Sequence, residues 1–358
     1  MGKLTMKMLK EKTWKAFNNQ YLYRNIGIAK SLDYGKTHTG NNVFIGRQTT
    51  DNGIQGFVSE SPVESSHCLT IGMVGVPTTF YQSNPFVASQ NILVLRNDLS
   101  DSDSYKFEAV CINKQLSKYS YGKPVGLERF KKDKTILPVN DNNDVDYEYM
   151  ADYVRKKRHA LMCKYQKYIQ RQISNLGKCA DVLPLTDKKW EPFILDDIFS
   201  ISSGTRLESR NKQPGNRPFI GAADNNNGVT GFVSNNNASN DSNVLGVNYN
   251  GNGMCIGFYH PYECIFSDDV KRFHLKNYKD NAYVLLFFKS IILKQKSKFG
   301  YLYKFNAERM AKQRLLVPVN DDGEPDYAYM EQYAKNMMLK KYKQYLVFLE
   351  TKDKGARD

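Results

Sequence analysis

The chain has 358 residues, of which 41% are hydrophobic and 13% aromatic, and this composition fits a folded protein of two or three domains. Its 51 Lys and Arg exceed its 37 Asp and Glu. The resulting net charge of +14 favours a polyanionic partner, because basic patches bind phosphate backbones by releasing counterions. The sequence shows no apolar stretch long enough to span a membrane and no signal peptide at its start, so we expect a cytoplasmic protein.

The six cysteines lack the C-x-x-C spacing of zinc sites, and they do not pair between the two halves of the chain. We expect free thiols in a reducing compartment, without a metal site or a disulfide framework. The cysteines are Cys68, Cys111, Cys163, Cys179, Cys255 and Cys264.

A short basic segment, residues 1–13, comes first, and its alternating apolar residues fit a helical turn and an edge strand equally well. A W-x-x-F motif then opens each half of the chain, at residues 14–17 and 190–193. The strongest repeat follows. It reads FIGRQTTDNGIQGFVS at residues 44–59 and FIGAADNNNGVTGFVS at residues 219–234. Nine of the sixteen positions match without a gap, which indicates an internal duplication of a whole domain.

Each copy of this stretch predicts a strand, a turn and a strand, because both residues of Asn-Gly tolerate positive φ. The copies differ in the middle, where the side chains are mostly hydrogen-bonding. A shared scaffold holding different polar side chains suits two recognition modules for different targets; the alternative is two surface hairpins that have drifted apart. The differing residues are Arg47, Gln48, Thr49, Thr50 and Asp51 in the first copy and Ala222, Ala223, Asp224, Asn225 and Asn226 in the second.

Short apolar strands are predicted next, near residues 69–73 and 92–95, and a Phe-Tyr pair recurs at residues 80–81 and 258–259. Towards the end of each half, Gly122 matches Gly300. The motif P-V-N-D then recurs and predicts a helix start, because Asn and Asp cap free backbone amides. Each half is therefore a mixed α/β module.

A long helix is predicted after each module, and residues 179–188 link the first helix to the second module. Apolar residues recur at intervals of three and four, a stripe typical of a coiled-coil seam. Antiparallel helices of about 29 residues, about 44 Å long, would relate the halves by a pseudo-twofold axis. The stripe comprises Met150, Tyr153, Val154, Leu161, Tyr165, Tyr168, Ile169, Ile173 and Leu176, then Met330, Tyr333, Met337, Tyr342, Tyr345, Leu346 and Leu349.

The candidate DNA-binding residues lie at the hairpin tips, after nearby glycines, and in late loops where basic residues alternate with aromatics. Arg, Lys, Asn and Gln hydrogen-bond to base edges, and basic side chains also contact phosphates. Each residue taken singly is more often ordinary loop surface, so the prediction depends on their repeated positions. The candidates are Lys36, Arg47, Gln48, Asp51, Asn52, Lys118, Tyr121, Lys123, Arg206, Arg210, Asn225, Asn226, Asn227, Lys298, Tyr301 and Lys304.

No enzyme motif accompanies these candidates: the sequence lacks H-E-x-x-H, a P-loop and G-x-S-x-G. We therefore expect no catalytic residue, no cofactor and no metal. Two alternatives stay open: a protein-interaction adaptor that does not bind DNA, and a stand-alone enzyme with an unrecognised site.

The W-x-x-F openings, the F-I-G…N-G…G-F-V hairpins, the P-V-N-D motifs and the long helices together resemble the DNA specificity (S) subunit of Type I restriction-modification systems. The similar Type IIB specificity subunits share this plan. The resemblance covers nearly the whole chain, and its strength lies in the order and duplication of the motifs. It implies an α+β fold of two tandem mixed α/β target recognition domains, each followed by a long helix, with the two helices pairing as an antiparallel coiled coil.

The resemblance also implies domain boundaries and partners. Residues 1–143 and 189–320 would be the recognition domains, residues 144–178 and 321–358 the spacer helices with the tail, and residues 179–188 the linker. The implied partners are double-stranded DNA with a bipartite site and two methyltransferase (M) subunits, with binding of restriction (R) subunits left open.

Overall fold

The computed structural model describes residues 9–120, 122–250, 253–300 and 303–354. The chain forms two compact units, which divide between Tyr165 and Gln166. The first unit opens with β1 (Trp14–Asn18), α1 (Asn19–Leu22), β2 (Asn25–Ile28), β3 (Thr39–Ile45), β4 (Ile54–Val58), β5 (Cys68–Gly72), β6 (Thr79–Gln82), β7 (Phe86–Ala88) and β8 (Ile92–Arg96). It ends with α2 (Ser102–Leu116), α3 (Leu127–Lys132), β9 (Lys134–Pro138) and α4 (Tyr147–Leu176).

The second unit repeats these elements in the same order. It opens with β10 (Trp190–Ile194), α5 (Leu195–Ile198), β11 (Phe199–Ser203), β12 (Pro214–Ile220), β13 (Val229–Val233), β14 (Val244–Asn248), β15 (Gly257–His260), β16 (Ile265–Phe266) and β17 (Val270–Leu275). It ends with α6 (Ala282–Leu293), α7 (Ala307–Lys312), β18 (Arg314–Pro318) and α8 (Tyr327–Lys354). The duplication and the mixed α/β content inferred from the sequence are confirmed.

Each unit has three sheets with matching strand orders. In the first unit, the antiparallel four-stranded sheet runs β2-β8-β5-β6, the three-stranded sheet runs β4-β3-β7 with β3 and β7 parallel, and β1 pairs with β9. The second unit has β11-β17-β14-β15, β13-β12-β16 and β10-β18. The chain's first and last strands in each unit therefore pair, which ties the start of the unit to the strand before its long helix.

The central strand β5 is buried on both faces, because successive side chains point to opposite sides of a sheet. Leu69 and Ile71 belong to a core cluster with Tyr105 and Ile112 of α2. Cys68, on the other face, clusters with residues of the three-stranded sheet. The first unit is thus layered as helix, four-stranded sheet and three-stranded sheet.

The two cores differ in polarity at one matched position. In the first unit Glu108 of α2 is fully buried, and it accepts hydrogen bonds from Tyr23 Oη at 2.7 Å and from Ser100 Oγ at 2.5 Å. In the second unit the corresponding Phe288 packs edge-on against Phe199. Burial raises the pKa of the Glu108 carboxyl to about 7, although both hydrogen bonds oppose this shift.

The long helices begin later than the P-V-N-D motifs predicted. Asn140 closes a turn by accepting from the amides of Asn142 and Asp144. The helix cap is Asp146, whose Oδ1 accepts from the amide of Tyr149 at 2.9 Å, and Asp326 caps α8 in the same way.

Residues before each W-x-x-F motif belong to the repeat. Lys12 forms an ion pair with the cap Asp146, and Lys188 forms the same pair with Asp326. Lys188 lies in the predicted linker, yet its side chain is anchored at the start of α8. The C-terminal end of the predicted linker, residues 179–188, is therefore held within the fold of the second unit.

The predicted seam on the long helices is wrong at three positions of α4: Leu161, Tyr165 and Tyr168 are exposed. Three other predicted positions agree with the structure, since Ile169 is buried and Ile173 and Leu176 are half-buried. Met162 and Gln166, which were not predicted, are also half-buried. Steps of three and four fit two neighbouring stripes of one helix, so periodicity alone could not choose Met162 and Gln166 over Leu161 and Tyr165 in the middle of α4. In α8 the predicted Leu349 is buried, but the predicted Met337 is exposed, and Leu339, which was not predicted, is buried.

The match between Gly122 and Gly300 is also shifted by two residues. Ser120 bridges Lys123, and Gly300 makes the equivalent bridge to Tyr303. Within the described residues, no helix is sufficiently long and apolar to cross a membrane.

Candidate nucleic-acid interface

The two predicted hairpins are present, and their tips have the same backbone conformation. β3 pairs with β4, and β12 pairs with β13, both antiparallel. Three consecutive residues at each tip have left-handed φ angles: Asp51, Asn52 and Gly53 at 52°, 56° and 77°, then Asn226, Asn227 and Gly228 at 47°, 54° and 73°. Asn, Asp and Gly are the residues that adopt this conformation at least cost, so the local sequence accounts for the turn.

A phenylalanine from the four-stranded sheet lies directly beneath each tip. A Cβ added to Gly53 would lie 3.2 Å from the Phe80 ring, and one added to Gly228 would lie 3.3 Å from the Phe258 ring. Glycine is needed there both for its φ angle and for this close approach.

In the first unit, Asn52 anchors the tip through its side chain. Its Nδ2 donates to the Tyr81 carbonyl at 3.0 Å and to Gln82 Oε1 at 3.3 Å. Gln82 is buried, and its Nε2 donates to the Asn52 carbonyl and to Thr70 Oγ1 of the central strand. The amide pair therefore ties the tip to β5 and β6.

The second unit anchors its tip with different chemistry. Asn227 Nδ2 donates to Tyr262 Oη at 3.0 Å, and Tyr262 Oη lies 3.4 Å from Nδ1 of the buried His260. His260 occupies the place of Gln82, and Gly246 the place of Thr70. Burial lowers the pKa of His260 to about 4, so its ring is neutral at neutral pH. Its Nε2 has no hydrogen-bond partner within the described part of the chain.

The exposed side chains at the tips differ between the units. Arg47, Gln48 and Asp51 are exposed in the first, and Asn225 and Asn226 in the second. The predicted sites Asn52 and Asn227 are also exposed in part, but their amide nitrogens serve the anchors described above. Ala222, at the position of Arg47, packs against a core cluster, so the two units present different atoms at this point.

Three further predicted residues lie on loops that precede the hairpins. Lys36 ends a short 3-10 turn that packs on the first hairpin through Tyr34, whose ring lies 4.9 Å from that of Phe44. Arg210 lies in the equivalent turn of the second unit and pairs with Glu208 at 2.7 Å. Arg206 lies 3.8 Å from Asp268. All three basic residues are exposed. The ion pairs of Arg206 and Arg210 lie at the surface, where such pairs are weak enough to exchange for a contact with a phosphate.

The late basic loops lie in another part of each unit. Lys118 pairs with Asp133 at 2.9 Å, beside β9, and Lys123 is exposed. Lys298 donates to Gln295 at 2.6 Å, and the carbonyl of Lys304 accepts from Arg309. Tyr121 and Tyr301 fall outside the described residues. Lys36 therefore lies on a turn that packs against the hairpin, whereas Lys118 lies beside β9.

A lysine that the sequence reasoning missed lies beside each tip. A groove of about 630 Å³ in the first unit is lined by residues that include Asn52, Tyr81 and Lys106, and Lys106 Nζ lies 5.6 Å from the Tyr81 ring centre. In the second unit Lys289 Nζ lies 4.9 Å from the ring centre of Phe258, and burial lowers its pKa. The two lysines come from non-equivalent turns of α2 and α6, so comparing the repeats position by position could not pair them.

Comparison with known proteins places these features in one family. The family model described as "Type I restriction modification DNA specificity domain" matches residues 25–161 and 187–346. The Type II restriction enzyme BgcI specificity subunit S.BcgI of Heyndrickxia coagulans is 40% identical over 324 residues, which cover 87% of this chain and 91% of that protein.

The chain belongs to this DNA specificity family. A crystal structure of a Type-I restriction-modification system S subunit from M. genitalium has the same fold at a TM-score of 0.50, with 14% identity, 96% of this chain covered and 95% of that one. The chain is thus a specificity subunit of a restriction-modification system, with two tandem DNA recognition domains.

The anchors of this specificity subunit were also missed from sequence. Gln82 and His260 follow the repeated Phe-Tyr pairs by one residue, so aligning the repeats there would have exposed the difference. Among the described residues, no group of His, Cys, Asp and Glu side chains could hold a metal ion. Burial raises the pKa of the Cys68 thiol to about 11 and that of Cys255 to about 12, so these cysteines are protonated at neutral pH.

Proposed function

We propose that the chain is a non-catalytic, cytoplasmic subunit that reads a bipartite site in double-stranded DNA, with each hairpin tip contributing to the reading of one half-site. The observation that carries this proposal is the pair of hairpins with one backbone and different exposed side chains. Arg47 and Gln48 can hydrogen-bond to base edges, and so can Asn225 and Asn226. Lys36, Arg206, Arg210, Lys106 and Lys289 supply positive charge for the phosphates.

The proposed domain plan follows the repeat. Residues 1–143 and 189–320 form the recognition domains, and α4 and α8 pair as an antiparallel coiled coil that spaces them and docks two methyltransferase subunits. The exposed apolar residues of α4 and α8, such as Leu161 and Val347, support a docking role for the helices. Identity to a Type II specificity subunit favours a Type IIB-like assembly over a Type I assembly with restriction subunits.

A domain exchange tests the proposal. Residues 14–140 are replaced by the recognition domain of another specificity subunit, and the methylated sites of cells expressing the complex are sequenced. We expect one half of the site to change and the other to remain. If both halves changed together, the two units would not read DNA independently.

The two alternative functions predict other results. A protein adaptor would show no salt-sensitive binding to duplex DNA. A stand-alone enzyme would bind S-adenosylmethionine at micromolar affinity, or turn over a substrate, as a pure chain. Either result would contradict the proposed function.

A further inference from the structure

The strand end beside each hairpin tip differs between the units together with the tip. In the first unit, a Cβ added to Gly72 at the end of β5 would lie 3.5 Å from Cα of Arg47. In the second unit Ala222 takes the place of Arg47. Asn248, at the end of β14, takes the place of Gly72, and its Nδ2 donates to the Ala223 carbonyl at 2.8 Å. A large residue of the first tip thus contacts a glycine, and the second tip is contacted by an asparagine.

The loops that continue from these two strand ends also differ. They start alike, because the amide of Met73 donates to the Asn91 carbonyl at 2.9 Å and Tyr249 makes the same bond in the second unit. The loop from β5 to β6 then covers residues 73–78, whereas the loop from β14 to β15 covers residues 249–256 and is two residues longer. Different loops on matching strands are what two recognition domains with different targets require.

The loop of the first unit presents apolar side chains and carries no charge. It reads MVGVPT, and Val76 is 71% exposed while Val74 is 39% exposed. The amide of Gly72 donates to the Thr78 carbonyl, so the loop extends beyond the last paired residues of β5 and β6. An uncharged apolar side chain gains little from a phosphate. The C5-methyl group of thymine, in contrast, is an apolar group on a base edge in the major groove.

We propose that residues 73–78 are a second reading element of the first unit, in which Val76 contacts the methyl group of a thymine next to the base pair that Arg47 reads. This inference rests on the proposed function. Single exposed valines are ordinary on a protein surface, but this loop is continuous with the tip through the contact of Gly72 with Arg47. The contact would add discrimination for thymine that the hydrogen bonds of Arg47 do not supply.

Replacing thymine by deoxyuridine tests the contact, because uracil lacks only the methyl group. The complete complex with methyltransferase subunits binds its cognate duplex, in which each thymine of either strand is replaced in turn. The domain exchange identifies the half-site of the first unit. In that half-site we expect one replacement to weaken wild-type binding about four-fold, the factor for one buried methyl group. Val76→Ala should bind the unmodified duplex about four-fold more weakly than the wild type, and the same replacement should then have no further effect.

Val63→Ala is the matched control, because Val63 is an exposed valine in the loop that follows the end of β4 remote from the tip. In this variant the replacement should weaken binding as it does in the wild type. The proposal would be overturned if no replacement in the first half-site weakened wild-type binding. It would also be overturned if Val76→Ala kept the full effect of the replacement, or if Val63→Ala lost it.

These outcomes separate this inference from the proposed function. A wild-type complex that bound no duplex DNA would contradict the proposed function itself. Sequence-specific binding by the wild type, together with any of the three contrary results, would contradict only the contact of Val76 with thymine.

Discussion

Asn52 and Asn227 occupy matching left-handed positions but are held by different partners. Gln82 holds Asn52 directly, and Tyr262 together with His260 holds Asn227. The backbone of the tip is therefore kept while its support varies. Each anchor lies in a single unit, so its loss should act on one half-site.

Gln82→Met tests the anchor of the first unit, because methionine keeps the volume and removes the hydrogen bonds. Leaving Thr70 and Asn52 without these partners should cost about 1–3 kcal/mol of unfolding free energy in that unit. Discrimination should fall in the first half-site only, as measured by selection from randomised duplexes. The exposed Gln170→Met, on α4, is the control and should change neither quantity. Equal loss in both half-sites would contradict the assignment.

Arg47 and Lys123 are expected to play different parts. An arginine that donates twice to guanine discriminates against other bases by about 1–3 kcal/mol, so Arg47→Ala should relax one base position. Lys123→Ala should weaken binding to all DNA sequences about equally, and it should reduce the slope of log affinity against log salt concentration by about one. Selection from randomised duplexes measures the sequence preference. If Arg47→Ala left that preference unchanged, Arg47 would contact phosphates and would not read a base.

The buried Glu108 makes the stability of the first unit depend on pH. Its pKa is raised from 4.5 to about 7, so the carboxyl ionises more easily in the unfolded chain than in the folded one. Stability is therefore lost as the pH rises from about 4.5 to about 7, by about 3 kcal/mol for this shift.

Glu108→Gln should remove this loss while retaining amide hydrogen bonds to Tyr23 and Ser100. The variant should be more stable than the wild type above neutral pH, and the difference should vanish in acid. Chemical unfolding across pH measures this, with the exposed Glu128→Gln as the control. A constant difference at every pH would show that Glu108 does not titrate in this range.

The hairpin tip depends on glycine at its third left-handed position. Gly53→Ala forces a Cβ into both a left-handed conformation and the Phe80 ring, and we expect a loss of about 1–2 kcal/mol in unfolding free energy. Gly122→Ala is the control, because nothing lies within 4 Å of its added Cβ. Similar losses for both variants would mean that the tip is not constrained in this way.

The long helices are proposed to set the gap between half-sites. One heptad added after Leu161 and another after Met337 lengthen each helix by about 10 Å at about 1.5 Å per residue. The unread spacer should grow by about three base pairs, at about 3.4 Å each, while both half-site sequences stay the same. Sequencing of methylated sites measures the spacer.

The control for this experiment is a heptad inserted after Val63, in an exposed loop of the first unit, which should leave the spacer unchanged. If the complex with the lengthened protein still methylated DNA at the original spacing, the helices would not set the length of the spacer. Their role would then be to hold the units or the methyltransferase subunits.

The duplication, the hairpins and the DNA-binding class could be predicted from the amino-acid sequence. These features depend on the local sequence or on composition. Asn-Gly favours a left-handed turn because of backbone sterics, and alternating apolar residues predict strands. The net charge can be counted without knowing the fold. The repeat comparison also located the exposed tips, because loops between short strands lie at the surface.

Which polar side chains face outwards, and which hold the tip, depends on contacts between residues that are distant in the chain. Asn52 and Gln82 are thirty positions apart in the chain, and the hydrogen bonds between them exist only because two sheets bring them together. The buried side of α4 also depends on tertiary packing. Steps of three and four fit both Leu161 and Met162, but only Met162 is partly buried in the structure. Side-chain direction depends on distant neighbours, which no local pattern contains.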